Sequence, residues 1–153
     1  MKVAIGSDHG GYRLKEEVKK LLGSNNIEHI DFGTCSTESV DYPDFALAVA
    51  ESVAAGECVF GVICCGTGLG VAIVANKVPG IRAAVCNDTY SARMTREHND
   101  ANVLTLGERV VGLGVALDIV QTFLDTPFAG GRHATRIEKI RQIEQKYSCV
   151  NTK

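Results

Sequence analysis

Short apolar runs alternate with segments of helical periodicity along the whole chain. The run Val3-Ala4-Ile5-Gly6 comes first, and Leu14, Val18 and Leu22 behind it recur on one face of a helix. Four similar runs follow, at residues 29–33, 59–64, 82–86 and 102–106. Because these runs are apolar instead of alternating, they predict strands covered on both faces, as in a parallel sheet. The sequence therefore predicts an α/β protein, a single-domain Rossmann-like three-layer sandwich with a mainly parallel five-stranded sheet.

Further helices are predicted between the later strands and after the last one. One of them is expected to begin near Pro43. The others are expected at residues 71–76, 112–125 and 133–147. The last of them is expected to turn Ile137, Ile140 and Ile143 inward. No repeat, linker or change in composition divides the chain. We therefore expect one domain at residues 1–147 and a short C-terminal tail at residues 148–153.

The overall composition limits the class of partner. The chain has 153 residues, of which 45% are hydrophobic, and its formal net charge is -2 at pH 7. Nucleic acids and anionic membrane surfaces are bound through clustered positive charge, so neither is expected as the main partner. No apolar stretch reaches the roughly 18 residues that span a bilayer. The acidic Asp8 also comes too early for a secretory signal peptide.

The cysteines and histidines do not form a metal-binding pattern. The chain has 6 cysteines and 4 histidines, without a C-x-x-C motif or another metal-ligand spacing. Four of the cysteines lie inside apolar runs, at Cys58, Cys64, Cys65 and Cys86, where a reduced thiol packs as a small hydrophobe. We therefore expect reduced thiols, no bound metal and a cytoplasmic location.

A glycine-rich turn, Cys65-Gly66-Thr67-Gly68-Leu69-Gly70, follows the third predicted strand. Val71 stands where a dinucleotide-binding fingerprint has its third glycine, and there is no phosphate loop of the G-x-x-x-x-G-K-[ST] type. The glycines let several backbone N–H groups converge on an anion at a helix start, and a tight turn that needs positive φ is the alternative explanation. Strand alternation predicts that Cys64 points into the core and that Cys65 faces the turn.

Polar residues elsewhere provide further candidates. Asp8-His9 ends the first strand, and Arg132 and Arg136 share one face of the last helix, where arginine forks suit phosphate oxygens. Arg109 follows the last strand and is expected to join them. A solvated charged face is the alternative interpretation of the two helical arginines. His98-Asn99 precedes a strand, where such residues are usually part of a turn or helix end.

Taken together, these motifs resemble the B-type ribose-5-phosphate isomerase family, which also includes galactose-6-phosphate and allose-6-phosphate isomerases. The motifs occur in the family's order from residue 1 to about residue 147. They are Gly6-Ser7-Asp8-His9-Gly10-Gly11, Asp41-Tyr42-Pro43, Cys65-Gly66-Thr67-Gly68-Leu69-Gly70, Ala75-Asn76-Lys77, Glu97-His98-Asn99-Asp100-Ala101-Asn102-Val103 and Gly130-Gly131-Arg132-His133 through Arg136. Each motif is weak alone, but the ordered set is specific.

The resemblance implies an aldose–ketose isomerase of the pentose phosphate pathway that works without a cofactor or metal. It implies Cys65 as the base, since the glutamate that replaces this cysteine in other members is absent and Val71 stands near that position. It implies His98 and Thr67 for opening the sugar ring. The backbone of the turn, at Gly66, Gly68, Leu69 and Gly70, is implied to hold the enediolate oxygen. The implied sugar and phosphate contacts are Asp8, His9, Tyr42, Asn99, Arg109, Arg132 and Arg136.

The resemblance also implies a homodimer, or a tetramer of dimers, in which two subunits share each active site. The expected partner is therefore a small-molecule sugar phosphate and a second copy of the chain. An isomerase for a six-carbon sugar phosphate is one alternative, because only the length of the pocket would differ. A phosphate-binding module without chemistry is the other, and it leaves Cys65 and His98 without a role.

Overall fold

Five strands and six helices lie within residues 1–148, the part of the chain that the computed structural model describes, and they alternate up to the two consecutive helices at the end. They are β1 (Lys2–Ser7), α1 (Tyr12–Ser24), β2 (Glu28–Asp31), α2 (Tyr42–Ala54), β3 (Phe60–Cys65), α3 (Leu69–Ala75), β4 (Ala83–Val85), α4 (Thr89–Asn99), β5 (Val103–Gly107), α5 (Leu113–Asp125) and α6 (Arg132–Ser148). Ser148 thus ends α6, and the rest of the predicted tail, including Cys149, lies outside the described residues.

The five strands form one parallel sheet in the order β2-β1-β3-β5-β4. Helices α1, α4 and α5 pack against one face, where Val3, Ile5 and Leu104 are fully buried. Helices α2 and α3 cover the other face around Ala4 and Ile63. The predicted α/β class and the five-stranded sheet are therefore confirmed, and every strand pair is parallel.

Strands β1 and β3 lie side by side, with Ser7 opposite Cys64. From β1 the chain crosses to β2 on one side, whereas β5 and β4 lie on the other side of β3. Parallel sheets of this kind bind ligands beyond the carboxyl ends of the strands where the connections diverge. The sheet therefore places the residues after β1 and β3 at its topological switch point.

Helix α4 is the main element that the sequence pattern did not predict. It contains few apolar residues, and Ala92 and Arg96 are its buried members. The Asp88 carboxylate caps its start by accepting a hydrogen bond from Ser91 N at 2.7 Å. Asn99 is its last helical residue, so His98 and Asn99 lie at a helix end, one of the two settings that the sequence left open.

Two predictions about helix positions are wrong. Ile140 and Ile143 are not turned inward but are 46% and 58% exposed. Helix α6 lies at the edge of the domain, where it contacts α4, and Ile137 is its buried apolar residue. The glycine-rich turn is also shorter than predicted, since Leu69 and Gly70 already belong to α3.

The five described cysteines, Cys35, Cys58, Cys64, Cys65 and Cys86, are free thiols. Within residues 1–148 no helix combines the length and the apolar character that a membrane span needs.

Candidate active site

Cys65 ends β3 with its side chain against the glycine-rich turn. Its Sγ accepts a hydrogen bond from the backbone N–H of Gly68 at 3.0 Å. Gly68 has a φ of 80°, a left-handed conformation that favours glycine, and it immediately precedes α3. The first N–H groups of a helix lack intrahelical acceptors. The Gly68 N–H, directly before α3, is thus the backbone donor to the sulfur atom.

Cys64 points to the opposite face of the sheet, as the strand alternation predicts. It is fully buried in the core with Val62 and Leu106. Burial raises the pKa of the Cys64 thiol far above its ordinary value, and neighbouring Cys65 adds to the effect. Cys64 is therefore a neutral core thiol, while Cys65 is the thiol that faces the turn.

The turn after β1 brings Asp8 and His9 beside the glycine-rich turn. The Asp8 carboxylate oxygen Oδ1 accepts hydrogen bonds from Gly10 N at 2.9 Å and Gly11 N at 3.1 Å. A Cβ on Gly10 would lie 3.2 Å from Gly66 N, and one on Gly11 would overlap the Cys64 backbone. The two turns therefore pack backbone against backbone. Asp8 is 8% exposed, so its visible role is to shape this turn.

Residues from two other elements complete this edge of the sheet. Arg109 donates its backbone N–H to Gly66 O at 3.2 Å, and a Cβ added to Gly66 would lie 3.6 Å from the guanidinium nitrogen Nη1 of Arg109. The Tyr42 ring covers Gly70, where an added Cβ would lie 2.9 Å from the ring. Thr67 is exposed and its backbone packs on Gly107. We call the resulting set the carboxyl-edge cluster: Asp8, His9, Tyr42, Cys65, the 66–70 turn and Arg109.

A second group of predicted residues lies around the end of α4. The His98 and His133 rings stack with centroids 4.3 Å apart and an interplanar angle of 8°. Burial lowers the pKa of His133, and the positive charge of the adjacent Arg132 lowers it further. His133 is 8% exposed and its Nδ1 has no hydrogen-bond partner among the described residues.

Three exposed side chains accompany the stacked rings. Asn99 ends α4, and Arg132 and Arg136 extend from the first turns of α6 without a salt bridge to any described residue. We call His98, Asn99, Arg132, His133 and Arg136 the amino-edge cluster.

Within one chain the two clusters lie at opposite ends of the parallel strands, one at the carboxyl ends and the other at the amino ends. Helix α4 starts after the carboxyl end of β4 and ends before the amino end of β5, so it runs antiparallel to the strands. Its 11 residues correspond to about 16 Å along the helix axis. One chain therefore groups Cys65 with His9 and Arg109, but it does not bring His98, Asn99, Arg132 or Arg136 to them.

Asp100 anchors the amino-edge cluster, a role that the sequence analysis missed. It has a left-handed φ of 47°, and its carboxylate accepts hydrogen bonds from Arg82 and Arg96, each at 2.9 Å. Arg96 also donates to Ala101 O at 2.6 Å. These contacts fix the end of α4. The available signal was the position of Asp100 directly after His98-Asn99, where asparagine or aspartate tolerates the left-handed conformation.

His133 was also missed as a site residue. It directly follows Arg132 in the sequence, but the ring stack depends on contact between α4 and α6. Within residues 1–148 no three His, Cys, Asp or Glu side chains converge as metal ligands.

A free thiol at the switch point of a parallel α/β sheet, beside a backbone N–H donor and an arginine, defines a site for a small anionic molecule. The chain matches the Ribose/Galactose Isomerase family over residues 3–140 and belongs to that family. The enzyme is an isomerase of sugar phosphates.

Relatives with assigned activities cover nearly the whole chain. Ribose-5-phosphate isomerase B of Escherichia coli K12 is 50% identical over 145 residues, which are 95% of this chain and 97% of that protein. The solved structure of ribose-5-phosphate isomerase B from Clostridium thermocellum is 66% identical, with a TM-score of 0.95 and coverage of 96% of this chain and 99% of that one. D-erythrulose-4-phosphate isomerase of Pectobacterium atrosepticum is 41% identical over 147 residues, 95% of this chain and 97% of that protein.

Proposed function

We propose that the enzyme interconverts ribose 5-phosphate and ribulose 5-phosphate, with Cys65 as the base. The observation that carries this proposal is the Cys65 sulfur at the switch point, 3.0 Å from the Gly68 N–H. An N–H donor stabilises negative charge on the sulfur, and the thiolate is the form that accepts a proton. The names of the relatives support ribose 5-phosphate as the substrate.

The reaction moves one proton between neighbouring carbons of the open-chain sugar. The Cys65 thiolate removes the proton from C2, and the electrons of that bond shift toward C1 and leave negative charge on O1. The resulting enediolate takes a proton back at C1, while the hydrogen on O2 passes to O1. The product is the ketose, without any net oxidation. A positioned general base contributes typically about 10²- to 10⁴-fold to such a step.

The glycine-rich turn is proposed to stabilise the enediolate oxygen. Gly66 and Gly68 leave their backbone free of side chains, and Leu69 and Gly70 begin α3 with N–H groups that lack intrahelical acceptors. Donors aimed at developing negative charge are worth about 2.7–4 kcal/mol each by mutational precedent. His9, Tyr42 and Asp8 lie around the same turn, where they are proposed to contact the sugar.

The second cluster is proposed to reach this turn from a partner subunit. His98 with Thr67 would open the sugar ring, and Arg132, Arg136 and Asn99 would bind the phosphate end together with Arg109. The separation of the two clusters in one chain supports a homodimer in which each site takes one cluster from each copy. In a two-fold symmetric dimer the same contact occurs twice, so two complete sites result.

The proposal includes a cytoplasmic location, which the free thiols of Cys35, Cys58, Cys64, Cys65 and Cys86 support.

The number of carbon atoms in the preferred sugar phosphate is tested by comparing kcat/KM among substrates. The family description includes galactose, and one relative is named for a four-carbon sugar phosphate, so chain length differs among relatives. We expect the highest kcat/KM for ribose 5-phosphate when it is compared with erythrose 4-phosphate, allose 6-phosphate and galactose 6-phosphate in the presence of a metal chelator. A higher value for a six-carbon substrate would replace ribose 5-phosphate in the proposal. Binding of ribose 5-phosphate without turnover would identify a binding module instead.

A further inference from the structure

Lys15 is a buried lysine that the proposed reaction does not use. It lies on α1, is 1% exposed, and its Nζ is 2.7 Å from Asp31 Oδ2, 2.9 Å from Thr34 O and 3.1 Å from Glu16 Oε1. A buried ammonium group is costly unless it is paired, and apolar replacements of buried ion pairs are often as stable. The contacts to Asp31 and Thr34 both hold the segment that follows β2.

That segment is fixed at its start by a dense set of contacts. Burial opposes ionisation of Asp31, but hydrogen bonds from Lys15 and Lys19 outweigh it and hold the pKa of the carboxyl below its ordinary value. Asp31 Oδ1 also accepts a hydrogen bond from Gly33 N at 2.8 Å. A Cβ on Gly33 would lie 2.6 Å from Ser7 N and 2.7 Å from Lys15 Cδ. The chain after β2 therefore lies directly against β1 and the Lys15 side chain.

The far end of the same segment, at Val40, contacts His9. Thr34 donates its N–H to Ser7 O at 3.0 Å, and Val40 donates its N–H to His9 Nδ1 at 3.2 Å. A backbone N–H can only donate, so the Nδ1 atom that receives it carries a lone pair. In neutral imidazole the proton then resides on Nε2, which becomes a hydrogen-bond donor.

We propose that Lys15 is a positioning residue that acts through residues 34–40 to hold His9 in the Nε2–H tautomer, as a hydrogen-bond donor to a substrate oxygen. This inference rests on the proposed function, in which His9 contacts the substrate. Without the Lys15 contact to Thr34, the segment loses an internal anchor, and the Val40 N–H no longer selects one tautomer. His9 then presents a lone pair to the substrate oxygen for part of the time.

Lys19 offers a matched control. Its Nζ contacts the same Asp31 oxygen at 2.8 Å and Glu16 at 3.0 Å, but its described hydrogen bonds do not include Thr34 O. Lys15→Met and Lys19→Met therefore remove the same charge next to the same carboxylate. They differ in the anchor on residue 34 and in burial, since the Lys15 side chain is 2% exposed and the Lys19 side chain is 28% exposed.

The test combines ring ¹⁵N shifts of His9 with kinetics on ribose 5-phosphate in the intact enzyme. In the wild type we expect the shifts of the Nε2–H tautomer. Lys15→Met should show a mixture of tautomers and raise KM about tenfold, the size of one lost hydrogen bond, with kcat changed less than about twofold. Lys19→Met should keep both the tautomer and KM. A wild-type Nδ1–H tautomer, or equal effects of the two variants, would overturn the inference.

If Lys15→Met does not fold, Val40→Pro tests the step of the inference that links the segment to His9. It removes the N–H that donates to His9 and leaves the buried ion cluster intact. We expect mixed tautomers and a raised KM, and an unchanged His9 tautomer would overturn the inference. The tautomer measurement needs no turnover. An enzyme inactive on ribose 5-phosphate would therefore refute the proposed function while the His9 result is still obtained.

Discussion

The carboxyl-edge and amino-edge clusters are built in different ways. Around Cys65 the contacts are made mainly by backbone atoms. Two turns pack without side chains between them, and the Gly68 N–H donates directly to the sulfur. Around His98 the groups proposed to act on the substrate are side chains at helix ends, and Arg132, Arg136 and Asn99 are exposed. The first arrangement suits a reacting group that must be held rigidly. The second suits a binding surface that is completed by another molecule.

The largest expected effect separates the two cysteines at the end of β3, Cys64 and Cys65. Cys65→Ala should lower kcat by about 10²- to 10⁴-fold, because it removes the base. The arginines should still bind the phosphate. Cys64→Ala should keep kcat and lower the free energy of unfolding, because it leaves a small cavity in the core. Steady-state kinetics and urea unfolding of both variants provide the measurement. An inactive Cys64→Ala enzyme beside an active Cys65→Ala enzyme would contradict the assignment of the base.

His98 provides the next largest effect. His98→Asn should lose about 10²-fold or more in kcat on ribose 5-phosphate, whose closed ring must be opened by proton transfer. The loss should be smaller on erythrose 4-phosphate, because its phosphorylated terminal oxygen cannot close a five-membered ring. The ratio of kcat/KM for the two substrates is the quantity to measure. If both substrates lose activity equally, His98 does not act in ring opening.

The exposed arginines should affect binding more than chemistry. Arg136→Ala should raise KM for ribose 5-phosphate roughly 10- to 100-fold, the range of one hydrogen bond to a charged group, with a smaller change in kcat. Arg132→Lys should recover only part of the affinity, since a lysine lacks the planar fork. Glu138→Ala, on the same helix, is a control for general damage to α6. An unchanged KM in Arg136→Ala would remove this arginine from the phosphate site.

The smallest expected effect concerns the stability of the amino edge at acid pH. Burial and the nearby positive charges lower the pKa of His133, so the unfolded chain binds this proton more readily than the folded chain. The stabilising contribution is complete above the ordinary histidine pKa of about 6.5 and decreases as pH falls toward the lowered value. Urea midpoints at about pH 8 and about pH 5.5 should differ more in the wild type than in His133→Gln.

His29→Gln is the matched control for this pH effect, because His29 lies on β2 at the far side of the sheet. A His133→Gln variant that is as sensitive to acid as the wild type would show that His133 does not contribute.

The arrangement around Cys65 could be predicted from the sequence, because the patterns that indicate it lie within short segments of the chain. Apolar runs mark the strands, and a glycine turn directly after a strand predicts open backbone at the sheet edge. The facing of Cys64 and Cys65 followed from strand alternation alone, and the structure confirms it. The roles of Cys65, Thr67 and His98 remain predictions.

The amino edge depends on contacts between distant segments, which periodicity does not contain. Helix α4 was missed because a polar sequence forms it. It is held in place by Arg96, whose guanidinium lies 4.6 Å from the Phe60 ring and 5.6 Å from the Phe123 ring. The inward placement of Ile140 and Ile143 was wrong for a related reason. Helical spacing defines a face, but it does not tell whether another element covers that face.

Mixing two inactive variants tests the central claim, that each site combines the two clusters from two chains. Cys65→Ala and His98→Asn are unfolded together and refolded in equal amounts, so that half of the dimers contain one chain of each. In such a dimer one site carries both defects and the other carries neither. We predict recovery of about a quarter of wild-type activity, as two-fold symmetry requires. A mixture no more active than the separate variants would contradict the shared site.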